Sequence, residues 1–168
     1  MRVRRRHEIS RNELKKLKRV VRENLGEDFL EILNGKKFEL VHTDRELNLL
    51  LIDSNPIFLL EGNELETLFP TLNVFMNKDC RRLKNYVTVD MGAVGFVTNG
   101  ADVMRPGIVD LDNEIEKNDF VVITEEKYGK PLAVGRALFS GRDILKMKKG
   151  KVVQNLHYVG DKIWELEV

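Results

Sequence analysis

The pattern of the chain changes three times within residues 89–108, which read VDMGAVGFVTNGADVMRPGI. The alternating residues 86–89 predict a strand that leads into this stretch. A short helix is predicted over residues 92–98, and Asn99-Gly100 is expected to end it, because glycine readily adopts the left-handed conformation that stops helices. The apolar residues 103–109 predict another strand, which Pro106-Gly107 interrupts. A strand, a helix, a glycine turn and an interrupted strand therefore follow one another closely.

Short strands continue beyond this stretch. They are predicted at residues 120–124, 132–139, 152–158 and 163–166, with a helical piece at 144–148 and turns at 128–131 and 160–161. So many short strands within about 80 residues predict a small barrel.

The region that precedes this barrel begins with a helix predicted over residues 10–24. Ser10 and Glu13 have the spacing of a capping box, in which each side chain bonds the other residue's backbone N–H. Gly26 is expected to end the helix. Apolar residues recur at steps of three and four and form one packing stripe, made of Leu14, Leu17, Val21 and Leu25.

The rest of this region mixes short helices and strands. Helices are predicted over residues 27–33, ending at a left-handed Asn34-Gly35, and over residues 63–68, ended by Pro70. Three strands of an antiparallel meander are predicted at residues 38–42, 47–52 and 57–60. Residues 72–76 are expected to pack into the core.

A domain boundary is predicted near residues 77–84, which are polar, basic and without an apolar period. We therefore expect an α+β protein, with an N-terminal α+β domain over residues 1–83 and a β-barrel domain over residues 84–168. The N-terminal domain begins with the basic helix.

Composition places limits on the class of protein. The 168 residues are 42% hydrophobic and 33% charged, which suits a folded protein of one or two domains. The single cysteine, Cys80, cannot form an internal disulfide, and this favours a reducing, cytoplasmic location. The longest apolar runs are far shorter than a membrane span, and the basic start lacks the apolar core of a secretory signal.

The net charge of +1 hides a strong asymmetry. Residues 1–22 hold ten Lys or Arg and two acidic residues, whereas the remaining residues are acidic or nearly neutral. A basic arm on such a body is typical of a protein that holds a polyanion at one end. A solvated helix face explains the same charges equally well.

The stretch 89–108 resembles the opening of a PUA domain, the module named after pseudouridine synthase and archaeosine transglycosylase. Two later segments agree with the same family: 117–121 matches a strand entry in which Asn118 replaces the usual glycine, and 132–137 matches an apolar strand with glycine. The resemblance covers roughly residues 84–161. It implies that the predicted barrel is a PUA-type β pseudobarrel.

Residues 68–72 and 155–164 extend the resemblance to the malignant T-cell amplified sequence family, and ligatin is similar through the same two domains. This resemblance implies an RNA-binding protein that acts with the small ribosomal subunit and tRNA in initiation, reinitiation or recycling. The length and the basic start are typical of an archaeal-type member. In the eukaryotic family the N-terminal domain meets a zinc-containing partner protein, which the resemblance extends to this chain.

The glycine-rich segments of the PUA resemblance are the candidate RNA site, because small residues let a sugar-phosphate backbone approach and backbone amides donate to phosphates. Asp102 is expected to accept from a base amine or a 2′-hydroxyl, and Arg105 to bond a phosphate or stack on a base. Tight turns alone also require glycine and aspartate. The predicted RNA-binding residues are Gly100, Ala101, Asp102, Met104, Arg105, Pro106, Gly107, Gly135 and Arg136.

Two basic patches are expected to widen the RNA footprint, each phosphate contact steepening the salt dependence of binding. The first is Arg4, Arg5, Arg6, Arg11, Lys15, Lys16, Lys18 and Arg19. The second is Arg142, Lys146, Lys148, Lys149 and Lys151.

An enzyme is not expected, because about 80 residues outside the barrel are too few for an RNA-modifying core and no phosphate-loop, metalloprotease or dinucleotide motif occurs. No cofactor, metal or catalytic residue is predicted. His157 is expected to fill the core. Two alternatives to the translation role remain, namely an accessory subunit of an RNA-modification enzyme and a protein-interaction adaptor.

Overall fold

The structure is a computed structural model that describes residues 1–76 and 84–166. Its contacts group into two compact units, Met1–Thr71 with Leu166, and Leu72–Glu165. The predicted boundary between residues 83 and 84 adjoins residues 77–83, which lie outside the described residues together with Cys80, and it stays a prediction. Both units combine helix and sheet, so the predicted α+β class is confirmed.

Residues 1–71 form an antiparallel sheet whose strands lie in chain order. The predicted meander is confirmed as its second, third and fourth strands. The strands are β1 (Val3–Glu8), β2 (Phe38–Thr43), β3 (Leu47–Ile52), β4 (Asn55–Glu61) and β5 (Leu68–Pro70).

The strand β1 was not predicted from the sequence, which indicated only a basic arm. Its residues are almost all exposed, so no apolar alternation marks it. It forms because its backbone pairs with β2, from Val3 opposite Thr43 to Glu8 opposite Glu39.

Helix α1 (Arg11–Asn24) begins and ends as predicted. The Ser10 hydroxyl accepts from the Glu13 N–H at 3.2 Å, and the Glu13 carboxylate accepts from the Ser10 N–H at 2.7 Å. Gly26 follows the C-terminus with φ of +103°. The buried face consists of Leu17, Val20 and Val21, which leaves most of the basic side chains on the solvent side.

The short helix predicted over residues 27–33 is confirmed, as a 3-10 helix, but the predicted left-handed stop at Asn34-Gly35 is wrong. A side chain at Gly35 would collide with Cγ2 of Ile52, so close approach explains the glycine. The predicted helix over residues 63–68 is a single 3-10 turn, Leu65–Thr67, before β5. Pro70 belongs to β5 and does not end a helix, because an edge strand tolerates a residue without N–H.

In the second unit, the described residues form a six-stranded sheet with the order β7, β11, β10, β9, β6, β8. The strands are β6 (Tyr86–Val89), β7 (Val103–Met104), β8 (Ile108–Leu111), β9 (Phe120–Glu125), β10 (Pro131–Ala137) and β11 (Lys151–Tyr158). Helices α2 (Met91–Val97) and α3 (Gly141–Lys146) flank it. Its core includes Val87, Val121, Ile123, Ala133 and Val152.

The order of the strands makes this sheet curl into a nearly closed barrel. Strands β7 and β8 are consecutive in the chain and yet form opposite edges. The 3-10 turn Arg105–Gly107 alone joins them, and four residue steps span at most about 14 Å. The two edges must therefore lie close together, and the single interrupted strand predicted over residues 103–109 is in fact two strands.

The predicted last strand, residues 163–166, is a turn. The Asp161 carboxylate accepts from the N–H groups of Ile163 at 2.9 Å and Trp164 at 2.8 Å, so these amides bond a side chain and not a neighbouring strand. The same carboxylate lies 2.8 Å from Nδ1 of His157. The prediction that His157 packs into the core is confirmed, since it is 1% exposed.

Candidate nucleic-acid interface

A mostly apolar groove of about 330 Å³ lies between helix α2 and the segment that runs from Ala101 to Gly107. Five of the predicted RNA-binding residues line it, namely Ala101, Asp102, Met104, Pro106 and Gly107. The remaining lining residues are Asp90, Gly92, Ala93, Phe96, Val97 and Val103. All of the lining residues therefore come from the stretch 89–108, which resembles the opening of a PUA domain.

Local hydrogen bonds form the walls of the groove. The Asp90 carboxylate accepts from the Ala93 N–H at 2.9 Å and caps α2. After α2 the chain turns at Gly100, whose φ is +90°. A Cβ at this position would lie 2.9 Å from Cε1 of Tyr158. Gly100 therefore allows the turn to pack against Tyr158, and it does not line the groove.

Phe96 is a groove residue that was missed in the sequence predictions. Its side chain is 71% exposed, and Met91 and Met104 are also about half exposed. A solvent-exposed aromatic ring beside an apolar groove is typical of a ligand-binding surface. The sequence contained a signal: residues 91–97 are apolar on every side, more than one packed face needs.

Arg105 was expected to line the RNA site, but it is not among the residues that line the groove. Its Nε donates to the carbonyl oxygen of Ile144 at 2.7 Å, and its Nη1 donates to that of Ile108 at 3.3 Å. These bonds tie the 3-10 turn between β7 and β8 to helix α3. The geometry gives Arg105 a structural role, and its contact with RNA stays a prediction.

Gly135 and Arg136 lie on β10, among the strands and apart from the groove lining. A Cβ at Gly135 would lie 2.5 Å from the carbonyl oxygen of Gln154. The glycine therefore lets β10 and β11 approach at a bulge in their pairing. RNA contact by these two residues also stays a prediction.

Asp102 links the groove wall to strand β11. Its Oδ1 accepts from the Asn155 N–H at 2.8 Å, and its Oδ2 lies 2.9 Å from Nζ of Lys151. Burial raises the pKa of Asp102, but the hydrogen bonds from Lys151 and Asn155 lower it more, so the pKa lies below its usual value. The carboxylate is therefore charged and held in one position.

Asn155 is a second residue that was missed. Its side-chain amide donates to the carbonyl oxygens of Val97 and Ala101, each at 3.0 Å. It thus fixes the end of α2 against β11. The separation of 54 residues between Asn155 and Ala101 left no local signal in the sequence.

Only two residues of the second basic patch form ion pairs within the described residues. Arg142 lies 3.1 Å from Glu114, and Lys151 pairs with Asp102. Lys146, Lys148 and Lys149 are exposed. The patch adjoins the groove through Lys151, which stands opposite Met104 in the pairing of β11 with β7.

In the first basic patch, Arg6 and Lys16 form ion pairs with acidic residues of the same unit. Arg6 bonds Glu39, with Nη2 2.7 Å from Oε2, and Lys16 lies 2.7 Å from Glu66. The other six members, Arg4, Arg5, Arg11, Lys15, Lys18 and Arg19, are exposed. They form a basic surface on β1 and α1.

Residues 85–159 match the PUA domain family. The chain is 31% identical to translation machinery-associated protein 20 of Schizosaccharomyces pombe over 140 residues, which are 81% of this chain and 76% of that protein. The chain belongs to the family of translation machinery-associated protein 20 and the malignant T-cell-amplified sequence proteins. The predicted family is thereby confirmed, and the barrel is its PUA domain.

Archaeal relatives of this PUA protein match along nearly its whole length. An uncharacterized protein of Methanocaldococcus jannaschii is 39% identical over 168 residues, which are 99% of each chain. The crystal structure of a hypothetical protein from Pyrococcus horikoshii has a TM-score of 0.83 and 35% identity, and the match covers 96% of this chain and 98% of that one. These matches agree with the resemblance to an archaeal-type member.

Within the described ranges, 1–76 and 84–166, no three His, Cys, Asp or Glu side chains come together as a metal-binding group. Neither range contains a helix with the length and apolarity needed to span a membrane.

Proposed function

We propose that this protein binds RNA in the translation apparatus, and that the groove of its PUA domain holds an exposed single strand such as a tRNA 3′ end. The observation that carries the proposal is the exposed ring of Phe96 beside an apolar groove within the PUA match. In this proposal the protein works in the cytoplasm with the small ribosomal subunit in initiation, reinitiation or recycling. It carries out no covalent step.

The lining of the groove favours a single strand over a duplex. An unpaired base can stack on an aromatic ring, whereas a paired base presents only its edge. Gly92 and Gly107 line the groove without a side chain that would project into it. A sugar-phosphate backbone can therefore approach closely.

The charges around the groove suit the phosphates of the same strand. Lys146, Lys148 and Lys149 are exposed, and Lys151 lies at the edge of the groove beside Asp102. Cations at the edge and apolar surface inside match a nucleotide chain, in which charged phosphates alternate with flat bases.

The translation role is supported by the relatives, since the Schizosaccharomyces pombe protein is described as translation machinery-associated. The basic surface on β1 and α1 supports a second contact with RNA. A zinc-containing partner protein at the N-terminal domain remains a further expectation from the family resemblance.

The test is binding of a labelled tRNA with and without its single-stranded 3′ end, at several salt concentrations, alongside isolated small ribosomal subunits. The proposal expects affinity that depends on the 3′ end and falls steeply with salt. Equal affinity for the two tRNAs would show that the groove does not hold the tRNA 3′ end.

Absence of binding to either RNA would favour the protein-interaction adaptor, for which the same exposed apolar side chains would form the contact surface. Co-purification with a modification enzyme in place of ribosomal subunits would favour the accessory-subunit alternative.

A further inference from the structure

The ion pair between Asp102 and Lys151 is placed where an RNA strand in the groove would meet it. Asp102 lines the groove, and its side chain is 29% exposed. The Lys151 side chain is 53% exposed and lies opposite Met104, another groove residue. Both charged groups therefore reach the solvent at one edge of the groove.

The two partners differ in how firmly they are held. Oδ1 of Asp102 accepts from the backbone N–H of Asn155, a residue whose side chain also holds Val97 and Ala101. The carboxylate is therefore fixed, and its second oxygen, Oδ2, faces Lys151. The lysine ammonium stands at the end of a flexible chain and can leave an exposed ion pair with little loss of free energy.

We propose that Lys151 and Asp102 exchange partners when RNA binds, Nζ of Lys151 donating to a backbone phosphate and Oδ2 of Asp102 accepting from a ribose 2′-hydroxyl. This inference rests on the proposed function. The exposed Lys148 and Lys149 draw phosphates to the same edge by their positive charge.

The exchange gives the site a means of selecting RNA over DNA. Once Lys151 bonds a phosphate, Oδ2 of Asp102 needs a new donor, because a charged oxygen without a partner is unfavourable near an apolar surface. RNA supplies the 2′-hydroxyl as that donor. DNA has no such group and would leave the carboxylate unpaired beside a phosphate of the same charge.

The experiment compares the affinities of one single-stranded sequence made as RNA and as DNA. Wild-type protein is expected to prefer RNA by about tenfold or more, the value of a hydrogen bond to a charged group. In Asp102→Asn the remaining oxygen can still accept from Asn155, but an NH₂ group replaces Oδ2. That NH₂ group can donate to a 2′ oxygen but cannot accept from it, so we expect this variant to bind RNA and its 2′-O-methyl form about equally, and to bind DNA more tightly than wild type does.

Lys151→Gln tests the other half of the exchange. It is expected to weaken RNA and DNA binding by the same factor and to lower the salt slope by about 0.7, the value of one phosphate contact with a single strand. Lys117→Gln is the matched control, an exposed lysine of the same unit that belongs to neither basic patch and does not line the groove. An equal loss in both variants would overturn the assignment to Lys151.

A chemical variant of the RNA keeps the test independent of protein folding. A 2′-O-methyl strand can accept but not donate at the 2′ position, so wild-type protein is expected to bind it about as weakly as DNA. RNA binding without a preference over DNA, or wild-type affinity for the 2′-O-methyl strand equal to that for RNA, would overturn the exchange and leave the proposed function standing. If neither strand bound at all, the proposed function would fail and the exchange with it.

Discussion

Arg6 on β1 and Glu39 on β2 form a two-point ion pair, with Nε 3.0 Å from Oε1 and Nη2 2.7 Å from Oε2. Nζ of Lys37 lies 2.8 Å from the same Oε1. The hydrogen bonds from Arg6, followed by that from Lys37, lower the pKa of the buried Glu39 carboxyl to about 2. The pair attaches the basic N-terminal strand to the rest of its sheet.

Acid is expected to weaken this attachment. The folded-state pKa of Glu39 lies below the ordinary value of 4.5, so the stabilisation is complete above that pH and is lost as the pH falls toward about 2. Glu39→Gln should lower the free energy of unfolding by about 2 kcal/mol at pH 7. Urea denaturation at several pH values should show this difference closing in acid.

Glu66→Gln is the control for that experiment, because it removes the exposed ion pair with Lys16 from the same unit. Little change in stability is expected at any pH. A deficit of Glu39→Gln that stayed constant from pH 7 to pH 2 would contradict the role of the ion pair.

Gly100→Ala is expected to destabilise the protein more than Gly160→Ala. Both glycines have positive φ, +90° and +85°, so alanine is strained by about 1 kcal/mol at each. Only at residue 100 would the new Cβ also meet the Tyr158 ring, which adds about 1 kcal/mol or more. Thermal denaturation of the two variants measures the difference, and equal losses would show that the ring yields freely.

Arg105→Ala is expected to act on stability more than on RNA binding. The substitution leaves the carbonyl oxygens of Ile144 and Ile108 without their donor and should lower the free energy of unfolding by about 1–3 kcal/mol. RNA affinity measured on folded protein should change less than twofold, about 0.4 kcal/mol. A large loss of affinity with unchanged stability would contradict this and support the RNA contact that the sequence predicts for Arg105.

Phe96→Ala is expected to show the opposite pattern. Its exposed ring contributes little to the core, so stability should be nearly unchanged. Loss of base stacking should weaken RNA binding by about 1–3 kcal/mol, or roughly 5- to 150-fold. Phe139→Ala, a partly exposed phenylalanine outside the groove lining, is the control. Equal affinities of the two variants would rule out stacking on Phe96.

Features that depend on neighbours in the chain were predicted well from the sequence. The capping box of Ser10 and Glu13 spans three residues, and the helix it begins has the expected limits. Gly100 has the expected left-handed conformation. The strands of the meander carry their own apolar pattern. In each case the physical signal lies within one turn of helix or a few residues of strand.

Features that depend on distant pairing were missed. Strand β1 has no apolar pattern and exists through its hydrogen bonds to β2. Gly35 is needed because of Ile52, which is brought close only when β3 is in place. The separation of β7 and β8 to opposite edges is a property of the whole sheet, since no local pattern states which strands become neighbours.

The candidate site divides in the same way. The glycine-rich stretch between α2 and β8 marks the groove in the sequence, because turns and close approach restrict the residue types allowed there. The partners of its charged side chains come from far along the chain: Asp102 meets Lys151 and Asn155, and Arg105 meets Ile144. Folding brings these groups within hydrogen-bond distance, and only that proximity reveals Arg105 as a structural tie and Asp102 as a fixed carboxylate at the groove.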